Sequence, residues 1–286
     1  MSRRALLPAQ TFAPIALRPE HVREAHALSA ALQWPYREED WRFALALGHG
    51  LAVEADGRLV ATALWWPYDE AFASCGMIIV AAQYQGRGIG RRLMDEILRQ
   101  ANGRTIILNS TDEGHALYER LGFVVYGGVN QHQSVLAKAP AAPQTDGIRP
   151  SRPGDLAAIR DLDRRASGMR RGALLEALFA LASGVVIERA GRVSGYACVR
   201  RWGRGVVIGP VVAREAADAK ALIAGLAAEH VGGFVRIDVT QACDLSPWLD
   251  EIGVPCVDRV DSMVRGAPPA HAPDTTLYAL SNQSLG

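Results

Sequence analysis

Apolar and polar positions along this chain fall into short runs whose period changes between two and about three and a half. Wholly apolar or alternating runs bounded by turn residues read as strands, and apolar residues recurring every three or four positions read as helix. The pattern predicts a strand at 15–18, helices at about 20–32 and 37–47, and strands at about 50–55, 58–67 and 71–80. A helix at about 88–101, a strand at 105–110, a helix at 113–121 and closing strands near 123–127 and 131–137 complete this first half. In the helix at 88–101, Ile89, Leu93 and Ile97 recur at four-residue spacing with Met94 and Leu98 beside them. Arg91, Arg92, Glu96 and Arg99 form the opposite, solvated face.

The pattern stops between Lys138 and Gly147, where proline, alanine and small polar residues read as an exposed connection. Both sides of it begin alike, with a short strand, an Arg-Pro or Arg-Pro-Ser stop and an acid-bearing helix start, from Ile15 and from Ile148. The stretches from Gly50 and from Gly184 both read as hairpins around a central Asp-Gly or Ala-Gly turn. We therefore expect an internal duplication: two units, 1–140 and 146–286, each α/β with a mixed sheet that is largely antiparallel at the front and has later crossovers.

Composition bounds the function. With 286 residues, 49% of them hydrophobic, the chain is long enough for two ordinary cores. A formal net charge of +1 supplies no global basic field, so nucleic acid is not an expected partner. Cys75, Cys198, Cys243 and Cys256 are scattered without a CxxC pair, which fits a reduced, cytoplasmic protein and no metal. No segment approaches the roughly 18 consecutive apolar residues of a membrane span, and Arg3-Arg4 is followed by no long apolar stretch.

Chemistry concentrates at Tyr84–Leu98, YQGRGIGRRLMDEIL. Gly86, Gly88 and Gly90 follow the apolar run Met77-Ile78-Ile79-Val80 and open a helix. Free amides, the positive end of the helix dipole and a backbone without side chains suit a phosphate or pyrophosphate there. The Walker spacing is missing, and Arg91 stands where the dinucleotide fingerprint needs its third glycine.

Gln85-Gly86-Arg87-Gly88-Ile89-Gly90 does resemble the Q-x-x-G-x-G motif of the GNAT superfamily of N-acyltransferases. Ala116-Leu117-Tyr118, followed by Gly122-Phe123, is similar to the helix-and-strand signature that follows that loop. The resemblance covers about residues 15–137 and implies acetyl-coenzyme A as cosubstrate and an amine as acceptor. Backbone amides from Gln85 to Arg91 would hold the pyrophosphate, the strand edge at Ile78, Ile79 and Val80 the pantetheine arm, and an amide near Met77 or Ile78 the oxyanion. Tyr118 matches the family tyrosine that protonates the leaving thiolate. Where many members carry asparagine, seven residues earlier, this chain has Thr111, with Asn109 two residues before it. Both are candidate cofactor or substrate contacts.

The attacking amine must lose a proton, because a free alkylamine has a pKa of about 10. Glu70, Glu113, His115 and His132 are base candidates, and His132 ranks first because NQHQSVL lies where the last strands flank the expected cleft. Four of the six tryptophans, Trp34, Trp41, Trp65 and Trp66, fall in the loop between the first helices or at the end of the third strand. Trp34 and Tyr36, with the acids Glu38, Glu39 and Asp40, form an aromatic and carboxylate wall suited to a small cationic amine.

The second half has lost this chemistry. No glycine follows the strand before Arg214-Glu215, and Leu249 falls at the tyrosine position, so 146–286 resembles the degenerate unit of tandem GNAT proteins. A non-catalytic acyl-coenzyme A sensor and a protein acetyltransferase are the alternative readings.

Overall fold

Two-residue turns with positive φ at both positions close the central hairpin of each half. In the computed structural model, which describes residues 12–286 apart from 142 and 144, Asp56 and Gly57 have φ of 51° and 73°, and Ala190 and Gly191 have 49° and 72°. Such turns match the right-handed twist of the strands they join.

The first half runs β1 (Ile15–Ala16), α1 (Val22–Ala31), α2 (Glu38–Leu47), β2 (His49–Ala55), β3 (Arg58–Tyr68), β4 (Phe72–Val80), α3 (Ile89–Ala101), β5 (Thr105–Ser110), α4 (Asp112–Arg120) and β6 (Val124–Val135). The second half repeats the order with β7 (Ile148–Pro150), α5 (Leu156–Ser167), α6 (Gly172–Leu181), β8 (Ser183–Arg189), β9 (Arg192–Trp202), β10 (Gly205–Ala213), α7 (Ala216–Ala228), β11 (Phe234–Thr240), α8 (Ser246–Glu251) and β12 (Cys256–Arg265). It then adds β13 (Thr276–Ala279).

One element differs from the sequence expectation. β6 is a single strand of 12 residues instead of two strands parted near residue 129. Gly128, in the expected gap, lies within it, and a side chain there would collide with the amide of Gln241. Gly128 permits close approach here and makes no turn.

Among the described residues, all 13 strands belong to one sheet, ordered β1-β2-β3-β4-β5-β12-β6-β11-β13-β10-β9-β8-β7. The two halves have exchanged strands. β12, from the second half, lies antiparallel between β5 and β6, pairing Asp261 with Ser110 and Arg265 with Ile106. The later part of β6, from the first half, pairs with the whole of β11, from Phe234 opposite Val135 to Thr240 opposite Val129. The linker at 138–147 parts the sequence, but the hydrogen-bonded sheet continues across it.

The exchange reaches the cores. Met263 of β12 is fully buried among Leu93, Met94, Ile97, Tyr118 and Phe123 of the first half. On the opposite face of that half, α1 and α2 bury Trp41 and Trp66, and Met169, Leu174 and Leu285 from the second half join them. The indole N–H of Trp41 bonds Ser29 Oγ at 3.1 Å and that of Trp66 bonds the Ala44 carbonyl at 2.8 Å. Trp65 bonds Gln100 at 3.0 Å. These three tryptophans are structural.

A Met263→Ala variant should lose about 2–5 kcal/mol of stability, measured by urea unfolding. Because the core it vacates is shared, tryptophan fluorescence and far-UV circular dichroism should shift together. Two separated transitions would contradict the shared core.

Candidate active site

Strands β4 and β5 are parallel neighbours only at one end. Phe72, Ala73 and Ser74 pair with Thr105, Ile106 and Ile107, and beyond that point the strands diverge. A bulge at Met77 shapes the open end. Met77 has φ of 51°, a left-handed value uncommon for a residue with a side chain. The β3–β4 register shifts between Thr62 and Leu64, and Thr62 Oγ1 donates to the Met77 carbonyl at 2.9 Å. The bulge changes which residues face which side. Ala73 and Cys75 before it, and Ile78 and Val80 after it, pack toward α3 and α4, whereas Met77 and Ile79 pack toward α1 and α2.

The expected loop follows. Gly86 and Gly88 take φ of 72° and 75°, values that favour glycine, and nothing lies within 4 Å of where a Cβ would stand on either. The first bond into helix α3 runs from Arg92 N–H to the Gly88 carbonyl at 3.1 Å. The amides of Ile89, Gly90 and Arg91 thus have no carbonyl one turn earlier to pair with. Side chains leave this opening clear: Ile89 is buried in the core, Arg91 pairs with Asp95 at 3.0 Å, and Arg87 lies over Tyr84 and bonds the Gln83 carbonyl. Gln85 Nε2 donates to the Val80 carbonyl at 3.1 Å, fastening the loop to the end of β4. An open, amide-lined turn at a helix N-terminus fits a pyrophosphate.

Tyr118, on α4, lies over Gly114. A Cβ at Gly114 would stand 2.8 Å from its ring, so the glycine makes room for the aromatic. The ring meets Phe123 edge to face at 5.9 Å between centroids. Burial pushes the Tyr118 phenol above its ordinary range, and burial likewise pushes the Cys75 thiol up to about 12. Both stay protonated at neutral pH. Thr111 is the residue at which α4 starts and makes no side-chain cap bond.

Other expected site residues are engaged elsewhere. His132 is fully buried on β6, with Nδ1 2.7 Å from the Val254 carbonyl and Nε2 2.9 Å from Ser246 Oγ. It lies against the second half, away from the opening between β4 and β5, and a group sealed in this way has no path to an incoming amine. Asp40 is also buried. Its carboxylate accepts bonds from Arg37 at 2.6 Å and from the Gly203 amide at 2.9 Å, latching α2 to the turn after β9. That commitment removes it from the pocket wall. Glu70 pairs with Arg104 at 3.1 Å on the turn before β4, at the closed end of the opening. Glu113 is exposed on the first turn of α4. His115, one turn before Tyr118 on α4, has Nε2 3.2 Å from Asp261 of the exchanged β12. Trp34 and Tyr36 are half-buried and mutually edge to face at 6.2 Å, and Tyr36 also meets Trp202 of the second half at 5.1 Å.

Sequence reasoning missed the segment Ser281–Gly286. Its small polar residues carry no motif, yet Ser281, Asn282, Ser284 and Leu285 are buried. Ser74 Oγ donates to the Ser284 carbonyl at 2.5 Å and Asn109 Nδ2 to the Gln283 carbonyl at 2.6 Å. Asn109 also accepts from Ser262 Oγ at 2.6 Å, so both ends of its amide are occupied by the second half.

The corresponding opening of the second half is filled. β10 and β11 pair in parallel only at Val206–Val207 with Val235–Arg236. Farther along, β13 lies between them, pairing Ala279 with both Val211 and Val239. α7 starts directly after Arg214-Glu215 with no glycine turn, Arg214 is held by Asp274 at 2.9 Å, and Leu249 is buried in the core. A strand of the chain itself occupies the slot.

Comparison with known proteins agrees with this geometry. Acetyltransferase (GNAT) domain models match residues 46–125 and 159–279, one in each half. The chain is 28% identical over 280 residues to the uncharacterized N-acetyltransferase YitH of Bacillus subtilis, covering 95% of this chain and 98% of that protein. It is 27% identical over 223 residues to the holothin acyltransferase of a Pseudoalteromonas species, covering 77% and 75%. A putative acetyltransferase from Pyrococcus horikoshii superposes with a TM-score of 0.79 over 100% of this chain and 99% of that one, at 21% identity. A tandem GNAT protein from the clavulanic acid biosynthesis pathway superposes with a TM-score of 0.60 over 91% and 100%, at 18% identity. With one open and one filled GNAT slot in a single sheet, the chain belongs to the GNAT acyltransferases as a tandem member of that family.

Proposed function

We propose that the first half transfers the acetyl group of acetyl-coenzyme A to the amine of a small molecule, and that the second half carries no transfer site. The observation that carries this reading is the β4–β5 opening, which ends on the glycine-opened N-terminus of α3 and has Tyr118 packed on its α4 side. The amides of Gly88 to Arg91 would hold the pyrophosphate. The unpaired edge of β4 at Ile78–Val80 would hold the amide-bearing arm as an added strand. When bound, the cosubstrate supplies a thioester carbonyl open to attack by an amine.

The residues of this chain divide the remaining work. The bulge at Met77 turns backbone toward the opening, where an amide can face developing negative charge. Tyr118 holds a proton at Oη for a departing sulfur. His115, on the same helix and paired with Asp261, replaces His132 as the proposed acceptor of the amine proton. A small acceptor fits because the face toward α1 and α2 is closed by the second half, through Gly203 on Asp40 and Ser284 beside Tyr36.

Replacing Tyr118 with phenylalanine should lower kcat by about 10²–10⁴ while coenzyme A binding is retained. Release of free thiol across an amine panel measures it, and full turnover in the variant would remove the proposed acid. Since the phenol pKa is raised, the alkaline limb that Tyr118 contributes should lie above the ordinary tyrosine value of about 10. A limb near neutrality that disappears in the variant would contradict this. Gly88→Val closes the open turn and strains a left-handed position, so affinity for coenzyme A should fall at least about tenfold. Calorimetric titration checks it.

A further inference from the structure

The segment Ser281–Gly286 crosses the first-half opening just beyond its closed end. Ser74 is the last residue of β4 paired with β5, and the segment touches both strands near and beyond that point. On β4 it accepts from Ser74, and Ser284 packs so closely that a Cβ on Gly76 would stand 2.9 Å from its side chain. On β5 it accepts from Asn109 through the Gln283 carbonyl.

It is a built element with its own bonding. Asn282 Oδ1 accepts from the amides of Ser284 at 2.8 Å and Leu285 at 2.9 Å, and the Gly286 amide donates to the Asn282 carbonyl at 3.1 Å. Tyr68 donates from its hydroxyl to the Leu285 carbonyl, and the Leu285 side chain is buried in the core beneath α2. At the other end the segment continues from β13, which fills the second-half slot.

Direction follows from the glycine loop. A coenzyme A thioester whose pyrophosphate sits at Gly88–Arg91 runs back along β4 from Val80 toward Met77. Whatever extends past the sulfur then meets Gly76, where Ser284 lies. We infer that Ser281–Gly286 is the end wall of the acyl site and restricts the enzyme to short acyl groups. The inference rests on the acyltransferase reading proposed above and assigns the second half a role in its selectivity. The contrast can be large, since one methylene in a fitted pocket is worth about 10–200-fold.

The test titrates coenzyme A and its acetyl, butyryl and hexanoyl thioesters calorimetrically into three proteins. The full chain should bind the hexanoyl thioester at least about tenfold more weakly than the acetyl one. A variant ending after Leu280, with an unchanged far-UV spectrum, should bind the two within about threefold of each other. Ser284→Phe, in the full chain, should retain coenzyme A affinity and lose acetyl-coenzyme A affinity at least about tenfold; it decides the matter if the shortened variant does not fold. Equal binding of short and long thioesters by the full chain, or equal binding of coenzyme A and acetyl-coenzyme A by Ser284→Phe, overturns the wall and leaves the acyltransferase reading standing. Failure of coenzyme A and every thioester to bind the full chain overturns both.

Discussion

Hydrogen bonding between β6 and β12 ties this molecule together. Each strand belongs by sequence to one half and pairs with the sheet of the other, so neither half completes its sheet alone. β5 would lack its neighbour on one side without β12, and β11 would lack its neighbour on one side without β6. An unpaired interior strand presents a row of free donors and acceptors, which is costly when buried and adhesive when exposed. The strand exchange removes that problem from both halves at once and places the second half beside the first-half opening, with Gly203 on α2 and the Ser281–Gly286 segment against Ser74 and Asn109.

The two openings differ through one local choice. In the first half a glycine turn and a bulge keep β4 and β5 apart with free backbone between them. In the second, β13 supplies the donors and acceptors that a pantetheine arm would supply in the first. The degenerate half is therefore a filled version of the same architecture, and its filling strand leads directly to the segment across the active opening. The strand that fills one slot and the segment that crosses the other follow each other within Thr276–Gly286.

Much of this was legible in the sequence because it depends on local chemistry. The positive-φ turns at Asp56-Gly57 and Ala190-Gly191, the glycine loop and the Tyr118 helix each carry residues that few other geometries need. What stayed hidden depends on which partner a strand meets or which face a side chain takes. Alternation along β6 and β12 marks them as strands but does not name their neighbours. His132 lies between Gln131 and Gln133, and a strand's two faces differ by one residue, so its position near the cleft did not reveal that it points to α8. Asp40 looked like a pocket acid because its bonding partner, Gly203, lies 163 residues away. The terminal segment gave no signal, since buried small polar residues resemble solvated ones until their hydrogen bonds are known.

The strand exchange also has a consequence for biosynthesis. Ser262, the β12 residue that meets Asn109, is made 153 residues after it. During translation the first half must wait with β5 unpaired on one side until the second half has left the ribosome. Contacts this distant in sequence slow folding and prolong the exposure of adhesive edges. The yield of soluble protein should therefore depend on elongation rate and chaperone supply to a degree that the stability of the finished fold does not reveal.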